Sequence, residues 1–138
     1  MIYEGWHGLG RGEFLWMESD EQFRVPATRQ KTNYIAGHSL WVVAPVLLGN
    51  WSYLGEPSKI VKASARRVAS LSSNSETLTA TLLLAPREKV TVAVLSPKGE
   101  VMRAACVAEG NGVATAYDGD RDVALTLTCE RASCSCNS

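Results

Sequence analysis

The sequence carries no net charge and has no long apolar segment. Its 14 basic and 14 acidic side chains cancel, so the chain lacks the overall positive charge with which proteins attract nucleic acid or anionic membranes. The longest apolar run, residues 40 to 48, is much shorter than the ~20 residues that a membrane-spanning helix needs. We therefore expect no nucleic-acid partner and no membrane insertion.

The sequence is also poor in the residues of common catalytic sites. It has only two histidines, His7 and His38, and no serine or cysteine in a nucleophile-elbow context, so a Ser-His-acid arrangement has little to build on. The glycine-rich residues 5–12 are followed by an aromatic, strand-like stretch, whereas a phosphate-binding loop leads into a helix. The sequence therefore predicts a protein that is not an enzyme.

Short runs in which threonine alternates with apolar residues fill the second half of the chain. The clearest are residues 77–82, 90–94 and 123–129, and turn-forming residues separate them, as at 85–88 and 96–99. Alternation buries one face of a strand and leaves the other in water. The pattern predicts an all-β fold, an antiparallel β-sandwich of the immunoglobulin-like or jelly-roll type.

A chain of 138 residues is long enough for one domain with its own core. We expect a single sandwich with three parts: an aromatic-rich half at 1–55, a meander at 56–130 that completes the domain 1–130, and a polar cysteine-containing tail at 131–138.

Two segments of this domain need separate interpretation. Residues 58–71 fit either one amphipathic helix or two strands broken near Ser64, and the neighbouring strand signals favour the strands. Within them Lys59, Lys62, Arg66 and Arg67 form a basic cluster, which in a neutral protein indicates a solvated face. Residues 40–48 are apolar on both faces and predict a central strand with a break at Pro45.

Nine of the ten aromatic residues lie within the first 55 positions. Aromatic rings stack on sugar rings or pack in cores and interfaces. For carbohydrate binding we select four aromatic residues and two carboxylates that accept hydrogen bonds from sugar hydroxyls: Trp6, Trp16, Trp51, Tyr53, Glu13 and Glu56. The alternative is a structural or assembly module, in which the aromatics pack against another protein or further copies of the chain.

Four cysteines lie in the last third of the chain, at positions 106, 129, 134 and 136. An even number in a small β domain favours disulfides and an oxidising compartment. Because Cys106 and Cys129 both fall on late predicted strands, we expect a bridge between them. Asn50-Trp51-Ser52 is also an acceptor sequence for N-glycosylation at Asn50. These features predict an extracellular or cell-surface glycoprotein.

Three alternating aspartates, Asp118, Asp120 and Asp122, are the best candidates for a metal site. Carboxylates at this spacing in a loop can present oxygen ligands to Ca²⁺, but the glycine and the distal glutamate of an EF-hand are missing. The cysteines include no paired C-x-x-C of the kind that binds zinc. We therefore expect no cofactor, with Ca²⁺ at these aspartates as the alternative.

One stretch of the chain resembles a known class of domains. The residues Val43-Ala44-Pro45-Val46-Leu47 through Trp51, Leu54-Gly55-Glu56 and Lys59, with the β-rich run to about Asp118, are similar to the accessory β-sandwich domains of secreted glycoside hydrolases. The likeness covers about half of the chain and carries no catalytic residue. It implies a secreted or surface β-sandwich that works beside a carbohydrate-active partner. Separately, from the aromatic residues and the apolar strand, we expect the partner to be a polysaccharide or glycan, or another protein of a surface assembly, with a homo-oligomer as a further form of assembly.

Overall fold

The computed structural model describes residues 2–4, 14–15, 41–59, 63–109 and 122–137. The chain divides into two compact units, Met1–Pro45 and Val46–Ser138. Throughout the described residues, the regular secondary structure is β-strand. The all-β prediction is therefore confirmed.

The first unit contains a small antiparallel sheet. Its strands are β1 (Ile2–Glu4), β2 (Phe14–Leu15) and β3 (Trp41–Val43), in the order β2-β1-β3. Ile2 lies opposite Leu15 on one side and Val43 on the other. The prediction of a central strand at residues 40–48 is wrong, because β3 is three residues long and forms an edge of this sheet. Regular structure ends two residues before Pro45, as the missing N–H of proline leads one to expect.

The described residues of the second unit form seven strands in two antiparallel sheets that pack against each other. The strands are β4 (Ser52–Gly55), β5 (Val68–Ser73), β6 (Leu78–Leu84), β7 (Lys89–Leu95), β8 (Val101–Val107), β9 (Val123–Cys129) and β10 (Cys134–Asn137). The four-stranded sheet has the order β10-β9-β6-β5, and the three-stranded sheet has the order β4-β7-β8. The predicted antiparallel β-sandwich is confirmed, and Val68–Leu71 belong to a strand rather than a helix.

The alternating sequences build the core between the two sheets. On β6 the residues Leu78, Ala80 and Leu82 are fully buried, while the threonines between them point the other way. On β9, Leu125 and Leu127 are likewise buried in the core. Each of these buried leucines contributes roughly 1.5–3 kcal/mol by leaving water. The alternation of threonine with apolar residues therefore decides which side of each strand packs in the core, and the burial of the apolar residues stabilises the sandwich.

Two of the predicted turns connect consecutive strands. Between β6 and β7 the amide of Glu88 donates to the carbonyl of Ala85 at 2.9 Å, and between β7 and β8 the amide of Gly99 donates to that of Ser96 at 2.9 Å. Gly99 has a φ of +81°, a conformation that glycine adopts without steric cost. The first turn joins the two sheets and the second forms a hairpin within the three-stranded sheet.

The disulfides differ from the predicted pairing. Cys106 is bonded to Cys136, and Cys129 is bonded to Cys134. Cys134 lies directly opposite Cys129 in the β9–β10 register, with a Cα–Cα distance of 4.0 Å. Cys136 lies two residues farther on the same side of β10 and reaches β8 in the other sheet. The predicted Cys106–Cys129 bridge is wrong because residues 134–137, part of the expected tail, form a strand that takes both partners.

Candidate functional site

Two of the four aromatic residues selected for carbohydrate stacking are core residues. Trp51, just before β4, has 0% of its surface exposed, and Tyr53 on β4 has 6%. The two are spaced like residues on one face of a strand, and both belong to the core cluster between the sheets. The indole N–H of Trp51 donates to the carbonyl of Asn74 at 3.1 Å. Neither ring is available to stack on a sugar, so the prediction is wrong for both.

Glu56, the described carboxylate of the predicted sugar site, is buried as well. Trp6, Trp16 and Glu13 lie outside the described residues, and stacking by Trp6 and Trp16 stays a prediction. The described members of the predicted site, Trp51, Tyr53 and Glu56, are thus all enclosed in the protein.

Asn50, the predicted glycosylation site, is exposed at the end of a turn. Its φ is +63°, in the left-handed region that asparagine tolerates better than most residues. The next two residues of the acceptor sequence, Trp51 and Ser52, are completely buried. An oligosaccharyl transferase could therefore reach all three residues only before this part of the chain folds.

The predicted metal site falls mostly outside the described residues. Asp118 and Asp120 are not among them, and Asp122 is exposed just before β9. Within the described part of the chain, no group of three or more histidine, cysteine or acidic residues is placed to hold a metal ion. Calcium binding at the three aspartates stays a prediction.

The most organised group of polar side chains surrounds Arg67. Its Nε donates to Oε1 of Glu56 at 2.8 Å, and Nη1 and Nη2 form a two-pronged contact with Glu88 at 2.9 and 2.5 Å. Nη1 also donates to the carbonyl of Leu83 at 2.6 Å. Lys59 Nζ lies 2.7 Å from Oε2 of Glu56. This ion-pair cluster of Glu56, Lys59, Arg67 and Glu88 ties the segment after β4 to the end of β6 and the β6–β7 turn.

The electrostatics of the cluster follow from these contacts. The hydrogen bonds from Arg67 lower the pKa of Glu88 to about 2, and the amide of Ala85 contributes to the shift. Glu88 in turn raises the pKa of Arg67 above its ordinary value. Burial raises the pKa of Tyr53 to about 12, and the nearby Glu56 adds to it. These three groups each keep one protonation state near neutral pH, which makes them poor proton-transfer groups there.

An open groove of about 210 Å³ lies beside this cluster. Arg67 and Glu88 form part of its lining, together with Ser64, Arg66, Leu83, Ala85 and Asp122. The guanidinium of Arg67 is already engaged by two carboxylates and a carbonyl, so the groove offers mainly the exposed charges of Arg66 and Asp122. The predicted solvated basic face is thus wrong for Arg67. No local pattern in the sequence indicates the cluster, because Glu56, Arg67 and Glu88 are far apart in the chain.

Comparisons with known proteins give no relative for this chain. No protein-family model, curated protein or solved structure matches it. The likeness to accessory domains of glycoside hydrolases therefore rests on the residues named for it and stays a prediction. As for membranes, the described residues include no helix with the length and apolarity to cross one.

Proposed function

We propose that this chain is a non-catalytic β-sandwich module of an extracellular or cell-surface protein, with a structural role beside a partner protein. The observation that carries the proposal is the burial of Trp51 and Tyr53 in the core between the sheets. Aromatic side chains used in this way stabilise a scaffold and are not free to bind a ligand.

The disulfides support the extracellular part of the proposal. Two bonds hold the four-residue strand β10, one to its neighbour β9 and one to β8 in the opposite sheet. Such bonds are compatible with an oxidising environment and are rare in the cytosol of most organisms. A small module exposed outside the cell gains stability from them where no chaperone can refold it.

A partner protein would have an apolar surface to pack against on β8. Its alternate residues Val101, Arg103, Ala105 and Val107 point away from the core and are all exposed, so this surface is apolar except for the charge of Arg103. β8 ends the three-stranded sheet, and an edge strand with exposed apolar side chains favours contact with another protein or a second copy.

The scaffold role is tested by replacing Trp51 and an exposed neighbour. Trp51→Ala should lower the free energy of unfolding by about 3–5 kcal/mol, because it removes a fully buried ring. Leu48→Ala, in the adjacent turn and largely exposed, should change it by less than about 0.5 kcal/mol. Urea unfolding followed by circular dichroism measures both. Equal stability of the two variants would contradict the scaffold role.

The partner surface is tested on β8 in the intact chain. Val101→Asp/Val107→Asp should abolish self-association or capture of the protein's natural partner, measured by light scattering and co-purification from the native source. Ala124→Asp, at an exposed position on β9 in the other sheet, is the control. Retained assembly in the β8 variant would remove this surface from the proposal.

Carbohydrate binding is the second candidate, and one observation favours it. The outward side of the four-stranded sheet is covered by neutral side chains that form hydrogen bonds, mostly threonine and serine. Because Trp51 and Tyr53 are enclosed, a carbohydrate would have to bind at this surface or at residues outside the described part of the chain. Adsorption to neutral insoluble polysaccharides tests this candidate.

A further inference from the structure

The outer side of the four-stranded sheet carries a regular two-row array of neutral side chains that form hydrogen bonds. We name it the hydroxyl face, and it consists of Ser70, Ser72, Thr79, Thr81, Thr126, Thr128, Ser135 and Asn137. Each of the four strands supplies two of these residues, two positions apart.

The strand register aligns the eight residues in two rows across the sheet. Ser72 lies opposite Thr79, Thr79 opposite Thr128, and Thr128 opposite Ser135. The second row likewise crosses all four strands, in the order Ser70, Thr81, Thr126, Asn137. The hydroxyls of Ser70 and Thr81 are 2.8 Å apart and hydrogen-bonded. The array is thus a consequence of register, not of sequence neighbourhood alone.

The positions between these residues show that the array faces away from the core. Leu78, Ala80, Leu125 and Leu127 alternate with the threonines and are buried in the core cluster. On the two outer strands Leu71, Cys134 and Cys136 pack against the same cluster. All eight residues of the hydroxyl face are half-buried or exposed.

The hydroxyl face contains no charged residue. Protein surfaces normally mix lysine, arginine, glutamate and aspartate at roughly a quarter to a third of positions. Beyond one end of the array, the pair Arg131–Glu76 links the β9–β10 turn to the β5–β6 turn at 2.7 Å. A neutral surface gives no attraction to nucleic acid, anionic lipid or an acidic glycan.

The array is compact, and half of its side chains are conformationally restricted. With strands ~4.8 Å apart and alternate residues ~6.8 Å apart, it covers about 14 by 7 Å. The four threonines lie on the two central strands, β6 and β9, and β-branching restricts their χ1 angles. Because β-branching already restricts these four side chains, a ligand that binds them immobilises little side-chain freedom, and the cost in conformational entropy is small.

We propose that the hydroxyl face binds the surface of a neutral, extended polysaccharide. Serine and threonine hydroxyls each donate and accept, as sugar hydroxyls do, and threonine adds a methyl group that can pack on the C–H groups of a sugar ring. A single such hydrogen bond contributes little after exchange with water, so the two rows favour a repeating polymer over a short sugar. This inference rests on carbohydrate binding, the second candidate function given above.

The test uses the intact chain and two insoluble neutral polysaccharides, cellulose and chitin, in adsorption isotherms. The wild type should adsorb to at least one of them, equally at low and high salt, because no ion pair forms. Thr126→Val/Thr128→Val removes two hydroxyls and keeps the shape, and should weaken adsorption about tenfold. Thr126→Lys should weaken it at least as much.

Matched controls lie on the outer side of the three-stranded sheet. Thr91→Val and Ala105→Lys make the same chemical changes at exposed positions there and should leave adsorption unchanged. Circular dichroism and urea unfolding confirm that every variant folds.

Each other result overturns the inference in a distinguishable way. If the wild type adsorbs to neither polysaccharide, both the carbohydrate function and this assignment fail. If it adsorbs and the hydroxyl-face variants adsorb equally well, only the assignment fails. If light scattering shows a wild-type dimer that Thr126→Lys dissociates, the face is a contact between copies of the chain.

Discussion

The outward sides of the two sheets in the second unit differ, although similar alternating sequences build them. On the four-stranded sheet the outward residues are accessible hydroxyl-bearing side chains. On the three-stranded sheet Leu54, Ala93 and Leu95 also point away from the core, because Tyr53, Val92 and Val94 point into it. Ala93 is nevertheless only 2% exposed and Leu95 0%. The alternation of side chains along a strand therefore shows which residues lie on the same side of the sheet, but it does not show whether that side is exposed to solvent.

The buried outward positions lie together at the β4 side of the three-stranded sheet. Ser52 is paired with Leu95, and Gly55 with Ala93. Toward β8 the same side becomes accessible, at Arg103 and Ala105. The run Ala93-Val94-Leu95 contains no polar residue, which is typical of a strand that is buried on both sides.

The largest difference between the two sheets should appear when a lysine is introduced on the outward side of each. Ala93→Lys introduces an unpaired charge at a buried position and should lower the free energy of unfolding by about 3–5 kcal/mol. Thr126→Lys, at an exposed position of the other sheet, should change it by no more than about 0.5 kcal/mol. Urea unfolding measures both. Similar losses in the two variants would show that the outward sides do not differ.

The sequence predicted the positions of the strands better than it predicted which strands and residues contact one another in the folded protein. Thr-apolar alternation marked β6, β7 and β9, and the proline- and glycine-containing stretches marked the turns at 85–88 and 96–99. Both signals are local, so they survive without knowledge of the fold. The spacing of Cys134 and Cys136 was also a strand signal, since it puts both sulfurs on one side of a strand, but the polar residues around them hid it.

The candidate sites were harder to predict for a physical reason. Whether Trp51 packs in a core or faces a sugar depends on which sheet lies opposite, and this is decided by residues far along the chain. Arg67 likewise meets Glu56 and Glu88 only after β6 pairs with β5. The hydroxyl face needs the register of four strands, and two of them, β5 and β10, lack the alternation of threonine with apolar residues that marks β6 and β9.

The two disulfides should differ in their contribution to stability, since one joins the two sheets and the other lies within a sheet. Cys106→Ala/Cys136→Ala opens a link between residues 30 positions apart and should cost about 3.5 kcal/mol by loop-closure entropy. Cys129→Ala/Cys134→Ala opens a link across 5 positions and should cost about 2 kcal/mol. Thermal unfolding of both variants under non-reducing conditions compares them. The reverse order would indicate that the hairpin bond matters more than the bond between sheets.

The ion-pair cluster should make the free energy of unfolding depend on pH in the acidic range. Because the pKa of Glu88 is lowered from 4.5 to about 2, its contribution is complete above about pH 4.5 and is lost as the pH falls toward 2. Allowing for its partial exposure, the wild type should lose about 2 kcal/mol more than Glu88→Gln over this range. Urea unfolding at a series of pH values measures the difference. Parallel pH profiles would show that the Arg67–Glu88 contact is not maintained in solution.

The smallest effect should come from removing hydroxyls on the two outward sides. Thr126→Val/Thr128→Val and Thr91→Val should each change the free energy of unfolding by less than about 0.5 kcal/mol, because these side chains stabilise no described core contact. The two variants would then match in stability and differ only in adsorption to polysaccharide. A large loss of stability in the β9 variant would instead give the threonines a structural role.

The bond between Cys106 and Cys136 also decides how the module would respond to mechanical tension. A pull on the backbone next to Cys136 would otherwise peel β10 from β9 one hydrogen bond at a time, the weakest way to load a strand pair. Because the sulfur bridge continues from Cys136 to Cys106, the load passes directly to β8, which is paired along its whole length with β7. The force is thereby shared between both sheets, and β10 cannot be peeled from β9 beyond Cys136 while the disulfide is intact.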